Sequence, residues 1–247
     1  MKRQQALLVL GLVSLLGTLR AQVTVVGRVE VTGVPVSRKT LVPNTVVWLT
    51  PLSAGSGTAA PQPAALPNDP AQANVPDFRL VQKNKSFEPH LLVVPVGSVV
   101  EFPNHDPFFH NVFSLFEGKR FDLGLYEAGS SRIVHFDRPG VSYIFCNIHP
   151  EMSAVVVTVN TPWYAISNRV GQLSIANVPY GRYLMHIWSE QRTADTAEPE
   201  TKEITISEEA PSLGVIRVRA ANGHVLAHKN KYGRDYDQPA PDNAIYH

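Results

Sequence analysis

The sequence predicts an all-β chain made of two β-sandwiches. Three observations carry this. Short runs rich in Val, Ile, Thr and aromatic residues follow one another through most of the 247 residues. Turn residues separate these runs, and no helical periodicity comes between them. The 16 glycines and 20 prolines are too many for a chain of long helices. Charged residues make up 17% of the chain, with 22 Lys+Arg against 21 Asp+Glu. That balance gives no electrostatic reason to expect a nucleic-acid partner.

The first element is an export segment over residues 1–21. Met1, Lys2 and Arg3 form a short positive start, and Ala6–Leu19 is an apolar run. A run of that length falls short of the about 20 residues a membrane span needs and has the length of a signal-peptide core. Ala21 offers a small residue for cleavage before Gln22. Removing 1–21 takes away three bases and no acid, so the remaining chain is slightly acidic. The expectation is a periplasmic or secreted protein with no membrane span.

Strand-like runs follow at Val23–Val31 and Thr45–Thr50, the N-terminal strands of region 22–50. Residues 51–76 are rich in Pro, Ala, Gly and Ser and read as a loop or linker. From 77 to 160 the runs FRLVQ, HLLVVPVG, SVVEF, NVFSL, SRIVHF, VSYIF and SAVVVTV come in order, at a spacing that suggests an antiparallel sandwich. Five further runs between Trp163 and Val218 predict a second, smaller sandwich over 161–221. Much of the polar stretch 222–247 is expected to pack poorly.

The chemistry concentrates in Val141–Val155, VSYIFCNIHPEMSAV. Cys146, His149 and Met152 stand at C-x-x-H-x-x-M between two apolar runs. Thiolate, imidazole and thioether suit a soft or borderline metal, copper above all. The lone cysteine of an exported chain needs protection, which burial or a metal provides. A fourth donor should come from elsewhere. His110 adjoins the run Asn111–Leu115 and is preferred to His105, which lies between Asn104 and Asp106 in a turn-like context. Two His, one Cys and a weak axial Met form the donor set of blue-copper electron-transfer sites.

The segments FEPHLLVVPVGSVVEFPNHDPFFHNVFS (Phe87–Ser114) and FDRPGVSYIFCNIHPEMSAVVVTV (Phe136–Val159) resemble the cupredoxins. Within that family they are similar to plastocyanin- and amicyanin-like blue copper proteins often labelled as methylamine-utilisation-related. The short loop from Cys146 to Met152 is similar to that of amicyanin and pseudoazurin. The resemblance implies a Greek-key sandwich and one type 1 copper held by His110, Cys146, His149 and Met152, both histidines binding through Nδ1. It also implies that Asn111 braces the ligand loops and bonds near the thiolate. Thr161–Glu190 resembles a carboxypeptidase regulatory-like, transthyretin-type sandwich, with Gly171, Pro179 and Gly181 at its turns. Relatives of that arrangement often read W-H-E where this chain has Trp188-Ser189-Glu190.

The remaining residues read blandly. Asp122 is a loop brace, His135 and His186 are structural, and His224, His228 and His247 belong to the tail. Phe108 and Pro150 could frame an apolar patch for brief docking of a redox protein. The expected function is transfer of single electrons between redox partners, without enzyme activity. The alternatives are a copper carrier or sensor with the same ligands, and a metal-free two-sandwich adhesion or scaffold module.

Overall fold

The computed structural model describes residues 21–33, 44–52, 78–115, 118–190, 199–219 and 229–236. Nearly all of the expected export segment and of the stretch 51–76 lies outside the described residues, as do His224, His228 and His247. The described chain is all-β, and it has no helix long and apolar enough to cross a membrane.

The strands, in chain order, are β1 (Gln22–Thr32), β2 (Thr45–Pro51), β3 (Phe78–Arg79), β4 (Val81–Lys83), β5 (Ser86–Glu88), β6 (Leu91–Pro95), β7 (Ser98–Pro103), β8 (His110–Ser114) and β9 (Phe121–Tyr126). They continue with β10 (Ser131–Phe136), β11 (Gly140–Cys146), β12 (Ser153–Val159), β13 (Tyr164–Ile166), β14 (Gln172–Pro179), β15 (Gly181–Ser189), β16 (Glu200–Ile206) and β17 (Ser212–Arg219). One sheet has the order β6-β12-β11-β8-β9 and faces a second, β10-β7-β3. Their shared core holds Phe87, Phe102, Tyr126, Phe136 and Ile144. The strands of these two sheets lie between Phe78 and Val159.

The second sandwich is not confined to 161–221. Its sheets are β14-β1-β17 and β13-β2-β15-β16, so both are completed by the N-terminal strands. β1 lies antiparallel to β14 and parallel to β17, and β2 lies between β13 and β15. The first sandwich is therefore an insertion between β2 and β13. Pairing partners more than a hundred residues apart leave no local trace in sequence. The burial requirement of β1 and β2 does, because Val25, Val29, Val47 and Leu49 need the core they share with Leu173, Met185 and Ile216.

A third apolar layer joins the sandwiches. Val46, Trp48 and Trp188 meet Leu91, Val93, Val155, Val157 and Val159. Side chains alternate across a strand. In β2, Val47 and Leu49 therefore face one core while Val46 and Trp48 face the other. In β12, Ala154 and Val156 face the ligand-bearing core while Val155 and Val157 face the junction. Burial on both faces is why these strands read as continuous apolar runs rather than alternating ones. β9, by contrast, has mostly intermediate or exposed side chains and only Tyr126 buried, which left it without a strand-like signature in the sequence. His186 stacks on Trp48 with ring centroids 4.9 Å apart, whereas His135 is exposed rather than satisfied inside a strand.

A polar contact also spans the junction. His90 pairs with Glu190, and its Nδ1 lies 3.0 Å from the Ser153 carbonyl. The Glu190 carboxylate raises the His90 pKa against the opposing effect of burial. A raised folded-state value stabilises the fold fully below the unfolded pKa, near 6.5, and that stabilisation is lost as pH rises through the folded value. Both side chains are partly exposed, so the pair is worth no more than about 1 kcal/mol. His90→Gln is expected to lower the thermal midpoint by up to about 3 °C at pH 6 and by clearly less at pH 9. Equal losses at both pH values would assign the effect to packing instead.

Candidate metal centre

β8 and β11 are antiparallel neighbours, with Cys146 opposite Val112. The start of β8 and the end of β11 therefore meet at one end of the sheet. His110 opens β8 and Cys146 closes β11, which brings together residues 36 positions apart in sequence. The ladder extends one step further, as Asn147 N–H donates to the Asn111 carbonyl at 2.9 Å. The turn from β11 to β12 then folds back on itself. Met152 N–H donates to the His149 carbonyl at 3.1 Å, and Cys146 N–H donates to the Met152 carbonyl at 3.2 Å.

Three donors converge. Cys146 Sγ lies 3.6 Å from His110 Nδ1 and 3.6 Å from His149 Nδ1. All three atoms lie within 4.8 Å of one another. A borderline metal with bonds of about 2.0 Å to nitrogen and about 2.3 Å to sulfur needs a sulfur–nitrogen separation of about 3.5 Å at a tetrahedral angle. The spacing and the donor types both fit such an ion. Met152 is fully buried in the same core cluster as Cys146. His105 is exposed and stands outside the convergent set. His105→Ala is accordingly expected to leave metal affinity within about twofold, whereas His110→Ala should abolish tight binding. Equilibrium titration with Cu(II) checks both.

The surroundings prepare these donors. His110 Nε2 lies 2.9 Å from Asp106 Oδ2, with His110 fully buried and Asp106 nearly so. A carboxylate only accepts, so Nε2 carries the proton and Nδ1 keeps its lone pair for the cluster. Asp106 is itself fixed from three sides. Its N–H donates to Asn104 Oδ1 at 3.0 Å, and its two oxygens accept from Asn84 N–H at 2.6 Å and Lys85 N–H at 3.0 Å. Asn84 and Lys85 form the two-residue turn between β4 and β5 and both have positive φ, 56° and 53°. That conformation is unfavourable for Lys85, and it turns two adjacent N–H groups onto one carboxylate. Burial raises the Asp106 pKa, but these N–H groups and His110 outweigh it, so the carboxyl titrates below its ordinary range. Burial lowers both His110 and His149, so the imidazoles are neutral and available as ligands. Burial also pushes the Cys146 thiol up, opposed by the backbone N–H groups of Asn111, Ile148 and His149.

Asn111 is placed differently from a simple bridge between ligand loops. Its side chain turns toward β9, where Nδ2 donates to Asp122 Oδ1 at 2.7 Å and to the Gly124 carbonyl at 2.8 Å. Its link to the thiol-bearing turn runs through the main chain. Phe108 packs against both imidazoles, its ring centroid 5.3 Å from His110 and 5.5 Å from His149. Pro150 is exposed beside His149. Phe109, next to Phe108 in the chain, and Ile148, next to His149, are 49% and 39% exposed.

Sequence reasoning missed Asp106, whose Asn-His-Asp-Pro context read as a solvated turn. The buried Asn104 overrides that reading, since it also donates Nδ2 to the Phe108 carbonyl at 2.8 Å and so folds the loop inward. Within the polar stretch 222–247, residues 229–236 bond to the ligand turn.

No family model matches the chain, and no curated protein matches it. Solved structures do. A purple cupredoxin from Nitrosopumilus maritimus is 24% identical, over 34% of this chain and 100% of its own, with a TM-score of 0.31. A copper-containing nitrite reductase from Thermus scotoductus SA-01 is 23% identical, over 44% of this chain and 25% of its own, with a TM-score of 0.33. A point mutant of amicyanin in its Cu(I) form is 22% identical, over 35% of this chain and 88% of its own, with a TM-score of 0.32.

Proposed function

We propose that this chain is an exported protein that holds one copper ion and carries single electrons between redox partners. The observation that carries the reading is the convergence of His110 Nδ1, Cys146 Sγ and His149 Nδ1 at one end of a paired sheet. A bound copper would supply one-electron Cu(II)/Cu(I) chemistry at that point. The protein supplies the rest. Cys146 would hold the ion as a thiolate, since the metal displaces its proton. Met152, buried in the same core cluster as Cys146, would hold the ion as a weaker thioether donor. Asp106 fixes the His110 tautomer, and paired strands hold His110 and Cys146 against rearrangement when the charge changes.

Three strong donors and a thioether leave no open position for a substrate, which favours a carrier over an enzyme. His110 and Cys146, held by strand pairing, likewise favour electron transfer over copper delivery, because delivery needs a site that opens readily. The partly exposed His149, packed against Phe108 and followed in the chain by the exposed Pro150, suits a small and short-lived contact with a redox protein.

Titration of metal-free protein with Cu(II), followed by visible absorption, tests the reading. One equivalent should produce intense thiolate-to-copper charge transfer, and the colour should cycle reversibly with ascorbate and oxygen. Met152→Leu should keep the colour and raise the potential, because it removes a donor that favours Cu(II). A colourless complex, or a large fall in potential for Met152→Leu, would count against the assignment.

A further inference from the structure

After β17 the chain returns to the donor cluster. Residues Asn230–Arg234 form a closed turn in which Asn230 N–H donates to the Arg234 carbonyl and Gly233 N–H to the Asn230 carbonyl, both at 2.9 Å. Asn230 Oδ1 accepts from Tyr232 N–H at 3.0 Å and Arg234 N–H at 3.1 Å. The turn is thus rigid by its own bonds. The outward contacts of residues 229–236 fall on the start of the Cys146–Met152 turn and on Asp122 of β9.

Lys231 N–H donates to Asn147 Oδ1 at 3.0 Å, and Lys231 Nζ donates to Asp122 Oδ2 at 2.8 Å. The other oxygen of Asp122 accepts from Asn111, the residue after His110. Tyr236 OH donates to the Cys146 carbonyl at 2.8 Å. The segment 229–236 therefore reaches the thiol-bearing residue itself, its successor, and, through Asp122, the neighbour of the first histidine. Lys231 and Asp122 are 19% and 42% exposed, so the pair itself is a modest one and the clasp rests on it together with the two other hydrogen bonds.

We propose that residues 229–236 are a clasp on the metal centre. Lys231 and Tyr236 act as positioning residues that tie the Cys146–Met152 turn to β8 and β9. The clasp slows opening of that turn and so slows both metal escape and chemical attack on Cys146. The part concerning metal rests on the copper reading above, while the part concerning the thiol does not. The physics is that of local opening. A turn opens at a free energy set by the bonds it must break, and each bond supplied from outside makes the open state rarer.

Two rates test this on the full-length protein, Tyr236→Phe, Lys231→Met, Lys231→Arg and a chain ending at residue 228. The first is alkylation of Cys146 by iodoacetamide without metal. The second is release of copper to excess EDTA, followed by loss of the charge-transfer band. Tyr236→Phe should accelerate both about fivefold, as loss of one hydrogen bond implies. The shortened chain should accelerate both by more than about tenfold, while the thermal midpoint of the second sandwich stays unchanged. Lys231→Met should be fast, and Lys231→Arg should restore most of the protection. Rates within about twofold of the full-length protein for both Tyr236→Phe and the shortened chain would overturn the clasp. If the full-length protein gives no charge-transfer band, the copper reading fails, yet the alkylation rates still decide for or against the clasp.

Discussion

Cys146→Ser is expected to abolish the intense visible absorption of the copper-loaded protein while leaving the fold in place. The absorption needs a sulfur that shares charge with the metal, and a serine oxygen has neither the softness nor the low pKa to do so. The fold should survive because the site can accept a hydroxyl. Cys146 is fully buried, but three backbone N–H groups, those of Asn111, Ile148 and His149, face its sulfur and would find an acceptor in the serine oxygen. The stability cost should stay within about 1–2 kcal/mol. Copper affinity should drop by several orders of magnitude, because two imidazoles and a thioether are a poor site without the anionic donor. Matching far-ultraviolet spectra and thermal midpoints for the two metal-free proteins, with the colour lost in one, is the expected pattern. A Cys146→Ser protein that still turns blue would refute the donor set.

How much of this was legible in the sequence depends on whether the information was local. The C-x-x-H-x-x-M turn is local, so its three residues could be read directly. The second histidine of the cluster was reachable because His110 adjoins an apolar run that had to be a strand, and a strand beside β11 places its first residue near Cys146. His105 lacked that anchor. The junction of the two sandwiches was legible only in part. The unbroken apolar character of TVVWLT and SAVVVTV announces burial on both faces, yet it names no partner. The pairing of β1 with β14 and β17 depends on closure across the whole chain.

The contacts around the donors were less legible, because polar support is specified by geometry and hardly at all by composition. Asp106 bonds His110 only because Asn104 curls the intervening loop. The Asn84–Lys85 turn serves that carboxylate only because its φ values are positive. A Lys-Asn-Lys-Ser stretch carries no obvious sign of that role. Tyr236 and Lys231 sit in a polar tail whose composition resembles that of any solvated terminus, and their function lies in where the chain ends up.

Asp106→Asn carries the second large expectation, an upward shift of the reduction potential. The carboxylate faces the protonated nitrogen of a ligand imidazole in a buried setting, with Asp106 and His110 5% and 0% exposed. An anion there favours the more positive oxidation state of whatever ion His110 holds, both through space and by making the imidazole a stronger donor. Asparagine keeps the shape and an acceptor oxygen but removes the charge. A charged hydrogen bond exceeds a neutral one by about 1–1.5 kcal/mol, which for one electron is about 40–65 mV. Stability should fall as well. If the amide oxygen takes the place of Oδ2, it still accepts from Lys85 N–H and His110 Nε2–H, while the amide NH2 faces the Asn84 N–H, donor against donor. A loss of about 1–3 kcal/mol follows from one or more unsatisfied buried groups. The two effects separate the roles of the residue. Lower stability with an unchanged potential would make Asp106 a brace for the loop and nothing more. A raised potential with the charge-transfer band intact would show that it tunes the centre through His110. Asp106→Glu serves as the control, because it restores the charge on a longer arm and should recover part of the potential without recovering the packing.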